Sequence, residues 1–203
     1  MRKRYDNLVV IYVSSLQIKY CNALLALTYN GTHNVIIPGL IKTLFNDSTA
    51  MAHCETCSPD RNVHMNQSTV LYSAPSILTI QLKRFTFNAL NGVASKDFTS
   101  VTCEKVLTFL LIDGRTATYK HIATVSHVGK QMNDGHYVAY TRLKDEKCFK
   151  ISDHVVTGPF VDVDVFDSVA LSGGGPDNIT PYILLYDLVS LELPPEPSME
   201  GIL

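Results

Sequence analysis

The stretch Gly135-His136-Tyr137-Val138-Ala139-Tyr140 decides the fold of this 203-residue chain. Apolar residues alternate with polar ones through it, as in a half-buried strand, and a flexible Asn133-Asp134 turn precedes it. A histidine that opens such a strand directly after a flexible turn is placed like a catalytic base. His136 is therefore the residue from which a functional interpretation starts.

The pattern of the surrounding sequence also predicts mostly β structure. In 77–85 the apolar residues Leu78, Ile80 and Leu82 alternate with polar ones, which indicates a half-buried strand. A helix is expected at 38–45, because Pro38 suits a first helical turn and apolar residues follow at helical spacing. Further strands are predicted at 106–112, 119–126, 136–143, 148–151 and 182–187.

Composition excludes several function classes. The net charge is -2 and the only cluster of basic residues is at 1–4, so nothing favours nucleic-acid binding. No apolar stretch is long enough to span a bilayer, and we expect no membrane insertion. The five cysteines cannot all pair within one chain, which fits a reducing cytoplasmic or nuclear compartment.

Four blocks of sequence, taken in order, resemble the C-terminal half of the catalytic domain of ubiquitin-specific proteases, a family of cysteine-dependent deubiquitinases. The blocks are 75–85, 119–129, 135–140 and 181–186. The resemblance implies an α+β fold of the papain-like cysteine protease superfamily, with a mostly antiparallel palm sheet, a degenerate fingers region and few N-terminal helices. It also implies a partner, which is ubiquitin or a ubiquitinated protein.

The resemblance divides the chain into three parts. Residues 1–35 form a divergent N-terminal segment, and 36–188 match part of a ubiquitin-specific protease domain. Residues 189–203 are rich in proline and are expected to be a disordered tail.

Besides the nucleophile and the histidine base, such a site needs a third group that orients the imidazole. Two neighbouring residues are candidates for this role. A hairpin turn centred between residues 145 and 146 would place His136 opposite Val155, so that Asp153 shares the side of the histidine and Ser152 does not. The resemblance assigns the role to Ser152 instead. Both residues are kept as candidates, with Asp153 as the stronger electrostatic partner because it carries a charge.

The nucleophile that His136 would activate is not recognisable. The family has an N-terminal cysteine box at the start of a helix, and aligning the end of that box with this chain puts Val10 at the nucleophile position. Cys21, followed by an apolar run that could begin a helix, is a weak candidate. Cys103 and Cys148 fall in or near predicted strands and are weaker still. We therefore hypothesise that the base is retained without a competent nucleophile.

Cys54 and Cys57 have the Cys-x-x-Cys spacing of half a zinc ribbon. The second pair that the family uses is absent, although His53 or His64 could supply ligands. Hydrolysis by a cysteine and a histidine requires no cofactor, and zinc is possible only at this incomplete site. Metal analysis of the purified protein would decide it, and a lack of stoichiometric zinc would eliminate the site.

The resemblance places Gly135 and Tyr137 near the C-terminal tail of the substrate. From the residues alone, Tyr137 and Tyr140 favour a core role instead. Three functions remain open at this stage. They are thiol-dependent hydrolysis at the ubiquitin C-terminus, ubiquitin binding by an inactive or truncated relative, and a small zinc-binding interaction module.

Overall fold

The computed structural model describes residues 22–27, 35–44, 48–54, 58–67, 71–99, 101–131, 133–160 and 178–193. These residues contain one helix, α1 (Ile37–Leu44), and their other regular elements are strands. The strands are β1 (Asn22–Leu27), β2 (Val35–Ile36), β3 (Ser48–Cys54), β4 (Ser58–Gln67), β5 (Ile77–Leu82), β6 (Phe85–Asn88), β7 (Val93–Lys96), β8 (Val101–Thr102), β9 (Val106–Leu110), β10 (Thr116–Val128), β11 (His136–Arg142), β12 (Cys148–Ser152), β13 (Val155–Phe160) and β14 (Ile179–Glu192).

One eight-stranded sheet dominates the structure, and three two-stranded sheets accompany it. Its strand order is β1-β5-β14-β10-β11-β12-β13, with β9 paired to β10 beside β11. Every pairing in it is antiparallel except that of β1 with β5. The described residues thus form a mostly antiparallel sheet with very little helix, as the sequence predicts.

Alternation along the strands builds the core. In β5 the predicted inward residues Leu78, Ile80 and Leu82 are all fully buried, which confirms the pattern seen in the sequence. They pack in one cluster with Ile37 and Ile41 of α1, which lie one helical turn apart. The predicted helix is therefore confirmed, because its apolar stripe closes the core of the main sheet.

The apolar run after Cys21 is a strand and not the helix that could have begun there. Residues Asn22–Leu27 pair in parallel with β5 along its whole length. A short continuous apolar run satisfies a buried strand as well as a helix, and periodicity cannot separate the two. The open edge of β5 provides the hydrogen-bonding partner that makes it a strand.

The extent of β14 also corrects a prediction. β14 continues to Glu192, which pairs with Thr116 at the start of β10. The predicted disorder was therefore wrong for 189–192, because the long β10 offers partners to the end of β14. Residues 1–21 and 194–203 lie outside the described residues. No helix among the described residues is long and apolar enough to cross a membrane.

Candidate active site

His136 is the first residue of β11 and pairs with Val128 at the end of β10. Val138 and Tyr140, which follow it at alternate positions, are buried in a small cluster with Cys148. These two side chains anchor the strand, while 43% of the His136 side chain remains exposed. The imidazole thus has a fixed backbone and open access to solvent.

Ser152, the last residue of β12, contacts the imidazole directly. Its Oγ lies 2.9 Å from His136 Nε2, which is hydrogen-bonding distance. The nearest oxygen of Asp153, Oδ2, lies 3.8 Å from the same nitrogen, too far for a hydrogen bond. The structure therefore brings both candidates to His136, with Ser152 as the bonded partner and Asp153 as a nearby charge.

The predicted register of this hairpin was wrong by one residue. Ala139 pairs with Ile151 and Tyr140 with Lys150, which aligns Ser152 with Val138. Side chains two residues apart share a face, so Ser152 shares the side of His136. The geometric argument that favoured Asp153 over Ser152 therefore fails, and the position chosen by family resemblance makes the contact.

The turn explains the error. Leu143 N donates to Lys147 O at 2.9 Å. This bond closes a three-residue loop, 144–146, where the sequence suggested a two-residue turn. Glu146 has a φ of 64°, typical of the left-handed residue that ends such a loop. Its carboxylate also accepts from Lys120 Nζ at 2.6 Å and Arg142 Nη1 at 3.0 Å, which holds the loop to β10.

Asp153 begins the turn from β12 to β13, with a φ of 51°. Aspartate tolerates this left-handed conformation better than most residues. Its side chain is 75% exposed, so solvent screens its attraction to the imidazole. Of the two residues, only Ser152 lies at hydrogen-bonding distance from the imidazole, and the charge of Asp153 is screened.

The cysteines whose side chains the structure describes, Cys103 and Cys148, are both buried. Burial raises the pKa of Cys103 to about 12, which disfavours the thiolate that a nucleophile needs. Cys21 lies outside the described residues, and the segment after it is a strand. No accessible thiol is therefore found among these described side chains.

The cysteine pair is described only in part. Cys54 ends β3 and pairs with Ser58 across an irregularity in register, and Cys57 lies outside the described residues. His53 and His64 belong to the same hairpin. Within the described ranges, no group of three or more potential ligands could hold a metal ion. Zinc binding stays a prediction.

The two predicted substrate-side residues lie on either side of His136 in sequence. Gly135 has a φ of 143°, and a Cβ there would lie 2.4 Å from Val128 O, so only glycine fits. Tyr137 is 48% exposed, which contradicts a core role, whereas Tyr140 is 4% exposed and confirms one. The ring of Tyr137 packs edge-on against His127, with centroids 5.0 Å apart. Burial and the neighbouring Tyr182 raise the pKa of the Tyr137 hydroxyl.

Two buried cations, Arg84 and Lys96, were not among the predicted residues. Arg84 is 1% exposed and Lys96 is 8% exposed, and both donate hydrogen bonds to backbone carbonyl oxygens. A lysine or arginine normally indicates a solvent-exposed position. Alternation in the predicted strand 77–85 puts Arg84 on the face of Leu82, so its burial could have been predicted, whereas nothing in the sequence marks Lys96 as buried.

Comparison with known proteins identifies the family. Residues 8–186 match the family described as ubiquitin carboxyl-terminal hydrolase. The chain is 31% identical over 114 residues to the ubiquitin carboxyl-terminal hydrolase nonstop of Drosophila melanogaster, covering 54% of this chain and 22% of that protein. It is 27% identical over 110 residues to a probable ubiquitin carboxyl-terminal hydrolase 16 of Schizosaccharomyces pombe, covering 54% of this chain and 24% of that one.

Solved structures share the fold. A yeast SAGA DUB module superposes with a TM-score of 0.62 at 22% identity, covering 83% of this chain and 35% of that one. A SAGA DUB module bound to monoubiquitin gives a TM-score of 0.60 at 21% identity, with coverage of 83% and 35%. The chain thus spans about a quarter of the curated relatives and about a third of these structures. From the extent of the family match, this chain belongs to the ubiquitin carboxyl-terminal hydrolase family, and its resemblance to ubiquitin-specific proteases is confirmed.

Proposed function

We propose that this chain provides the histidine base for thiol-dependent hydrolysis at the C-terminus of ubiquitin. The observation that carries the proposal is the half-exposed His136, whose Nε2 lies 2.9 Å from Ser152 Oγ. We infer further that the main sheet is the palm of a papain-like cysteine protease domain and that the β3–β4 hairpin is a remnant of its fingers.

In the proposed mechanism, Nε2–H donates to Ser152 Oγ and leaves Nδ1 free to act as the base. Nδ1 takes the proton of a thiol, and the thiolate attacks the carbonyl carbon of the bond at the ubiquitin C-terminus. The imidazolium then gives its proton to the departing amine as the C–N bond breaks. Water hydrolyses the thioester with Nδ1 again as base, which regenerates the thiol.

Ser152 and Asp153 have different tasks in this scheme. The serine hydroxyl is neutral, so it fixes the orientation of the ring more than it stabilises the positive charge. The carboxylate of Asp153 supplies negative charge from 3.8 Å but is largely exposed. The site therefore depends on orientation from Ser152, with a screened charge beside it.

A second function is favoured by the buried thiols of Cys103 and Cys148. A chain of this family without an accessible nucleophile would bind ubiquitin and not cleave it. Cys21 is the candidate within the chain that would distinguish the two functions. No observation among the described residues favours a zinc-binding interaction module.

Two measurements on the purified chain separate these functions. One is titration with ubiquitin, and the other is turnover of ubiquitin that carries a fluorogenic amide at its C-terminus. For a hydrolase we expect turnover that falls by about a thousandfold or more in His136→Ala, as for other catalytic bases, while ubiquitin affinity is retained. Loss of turnover in Cys21→Ala would identify the nucleophile. Binding without turnover would establish the second function, and absence of binding would contradict both.

Changes to Ser152 and Asp153 should have unequal effects in the same assay. Ser152→Ala is expected to lower kcat/KM by about 10- to 100-fold, the usual value of a hydrogen bond to a charged group. Asp153→Asn is expected to cost about threefold or less, because an exposed charge is screened. If the chain does not turn over the ubiquitin substrate, the imidazole ¹⁵N chemical shifts of His136 in the two variants give the same comparison. A larger effect of Asp153→Asn would show that the carboxylate orients the ring.

A further inference from the structure

Lys96, the last residue of β7, is buried next to the chain segment that leads into His136. Only 8% of its surface is exposed. Burying an ammonium group is costly unless hydrogen bonds compensate its lost hydration. The groups that accept its hydrogen bonds therefore show which parts of the chain the Lys96 side chain connects.

Three backbone carbonyl oxygens accept hydrogen bonds from Lys96 Nζ. They belong to His127 at 3.3 Å, Gly129 at 2.7 Å and Asn178 at 3.2 Å. An ammonium group has three N–H donors, so each donor has an acceptor. The end of β10 and the residue just before β14 are thereby tied to β7 through one nitrogen.

The bond from Lys96 to Gly129 also influences the position of β11, the strand of His136, because the two ends of the 129–135 segment are in contact. A Cβ on Gly129 would lie 3.0 Å from both Gly135 Cα and Asp134 O. A Cβ on Gly135 would lie 2.4 Å from Val128 O. Fixing the carbonyl of Gly129 therefore also fixes Gly135, the residue that precedes His136.

The surroundings of the ammonium group strengthen these bonds. Burial, together with the positive charge of Arg84, lowers the pKa of Lys96 to about 8, so the group is still mostly charged at neutral pH. The ring of Phe98 lies 4.9 Å from Nζ and covers it. Hydrogen bonds from a charged donor are stronger where water is excluded.

We propose that Lys96 is a positioning residue, which keeps His136 in hydrogen-bonding contact with Ser152 by holding the two ends of the 129–135 segment together. Its catalytic meaning rests on the proposed role of His136 as the base. The effect of Lys96 on the position of the imidazole does not depend on that role, because the position can be measured without substrate.

The test compares Lys96→Met with Lys130→Met, which removes an exposed lysine from the same segment. Amide hydrogen exchange is measured by NMR at His136 and Gly129, with the amides of β5 as an internal reference. The imidazole ¹⁵N shifts of His136 are recorded as well, and Ser152→Ala provides the shifts expected when the hydrogen bond is lost. A merely structural lysine would not move those shifts selectively.

In Lys96→Met, which loses all three hydrogen bonds, we expect exchange at His136 and Gly129 to accelerate by about tenfold or more, the effect of losing the charge-assisted bond to Gly129 alone. The imidazole shifts should move towards those of Ser152→Ala, with β5 and Lys130→Met unchanged. Equal acceleration in β5, or unchanged imidazole shifts, would overturn the proposal. If Lys96→Met does not fold, Lys96→Gln carries the same test, because a shorter, neutral amide has only two N–H donors for the three carbonyls. A negative ubiquitin assay leaves this test intact.

Discussion

Replacing Arg84 by methionine is expected to lower the free energy of unfolding by about 4 kcal/mol. Its Nε donates to Pro181 O at 2.9 Å and its Nη1 to Thr99 O at 2.5 Å. The buried Pro181 O, left without its donor, costs up to about 3 kcal/mol, and the part-buried Thr99 O costs about 1 kcal/mol, the lower end of the same range. Since domains of this size are stable by only about 5–15 kcal/mol, the loss should remove much of the stability. Urea unfolding followed by circular dichroism measures it.

Lys83→Met is the matched control for Arg84→Met. Lys83 is the preceding residue and is exposed, so its replacement should change the free energy of unfolding by about 0.5 kcal/mol or less. A similar small effect from Arg84→Met would show that water or other groups satisfy the two carbonyls, and that the buried guanidinium does not hold β14 to the segment after β7.

Gly135→Ala is expected to lose about 3 kcal/mol or more of stability and to displace His136. The added Cβ would lie 2.4 Å from Val128 O and 2.6 Å from His127 Nε2, so β10 and β11 would have to separate at this point. The φ of 143° adds strain, because residues with a side chain rarely adopt it. We expect both a lower urea midpoint and loss of turnover in the ubiquitin assay.

Gly92→Ala separates these two causes. Gly92 also has a positive φ, 68°, but a Cβ there would meet nothing within 4 Å. Its replacement should therefore cost only the backbone strain, about 1–2 kcal/mol, and should leave the hydrogen bond of His136 intact. Equal losses from both variants would mean that contact with Val128 is not the reason that position 135 requires glycine.

The sequence predicts the strands of the main sheet well wherever burial follows a period of two. β5 is the clearest case, because one face packs in the core and the other does not. The run at 22–27 lacks alternation, so its partner β5 decides its structure. Such a pairing joins distant parts of the chain, and local periodicity cannot reveal it.

The structure brings His136, Ser152 and Asp153 together, while their catalytic roles stay predictions. His136 follows from its place at the start of a strand, but the choice between Ser152 and Asp153 depends on the length of one turn. The left-handed Glu146 sets that length, and glutamate is not a residue that marks such a conformation. The burial of Lys96 depends on carbonyls at the end of β10 and just before β14, which no local pattern encodes.

The position of β14 has a consequence for the synthesis of the chain. Among the described strands, β14 is the furthest along the chain and lies between β5 and β10, so it joins one part of the sheet, β1-β5, to the other, β10-β11-β12-β13. Until residues 179–192 emerge, each part has an unpaired edge at which another nascent chain can add a strand. A ribosome that stalls just before this strand would therefore release a product prone to aggregation, even though His136 and Ser152 had already been made.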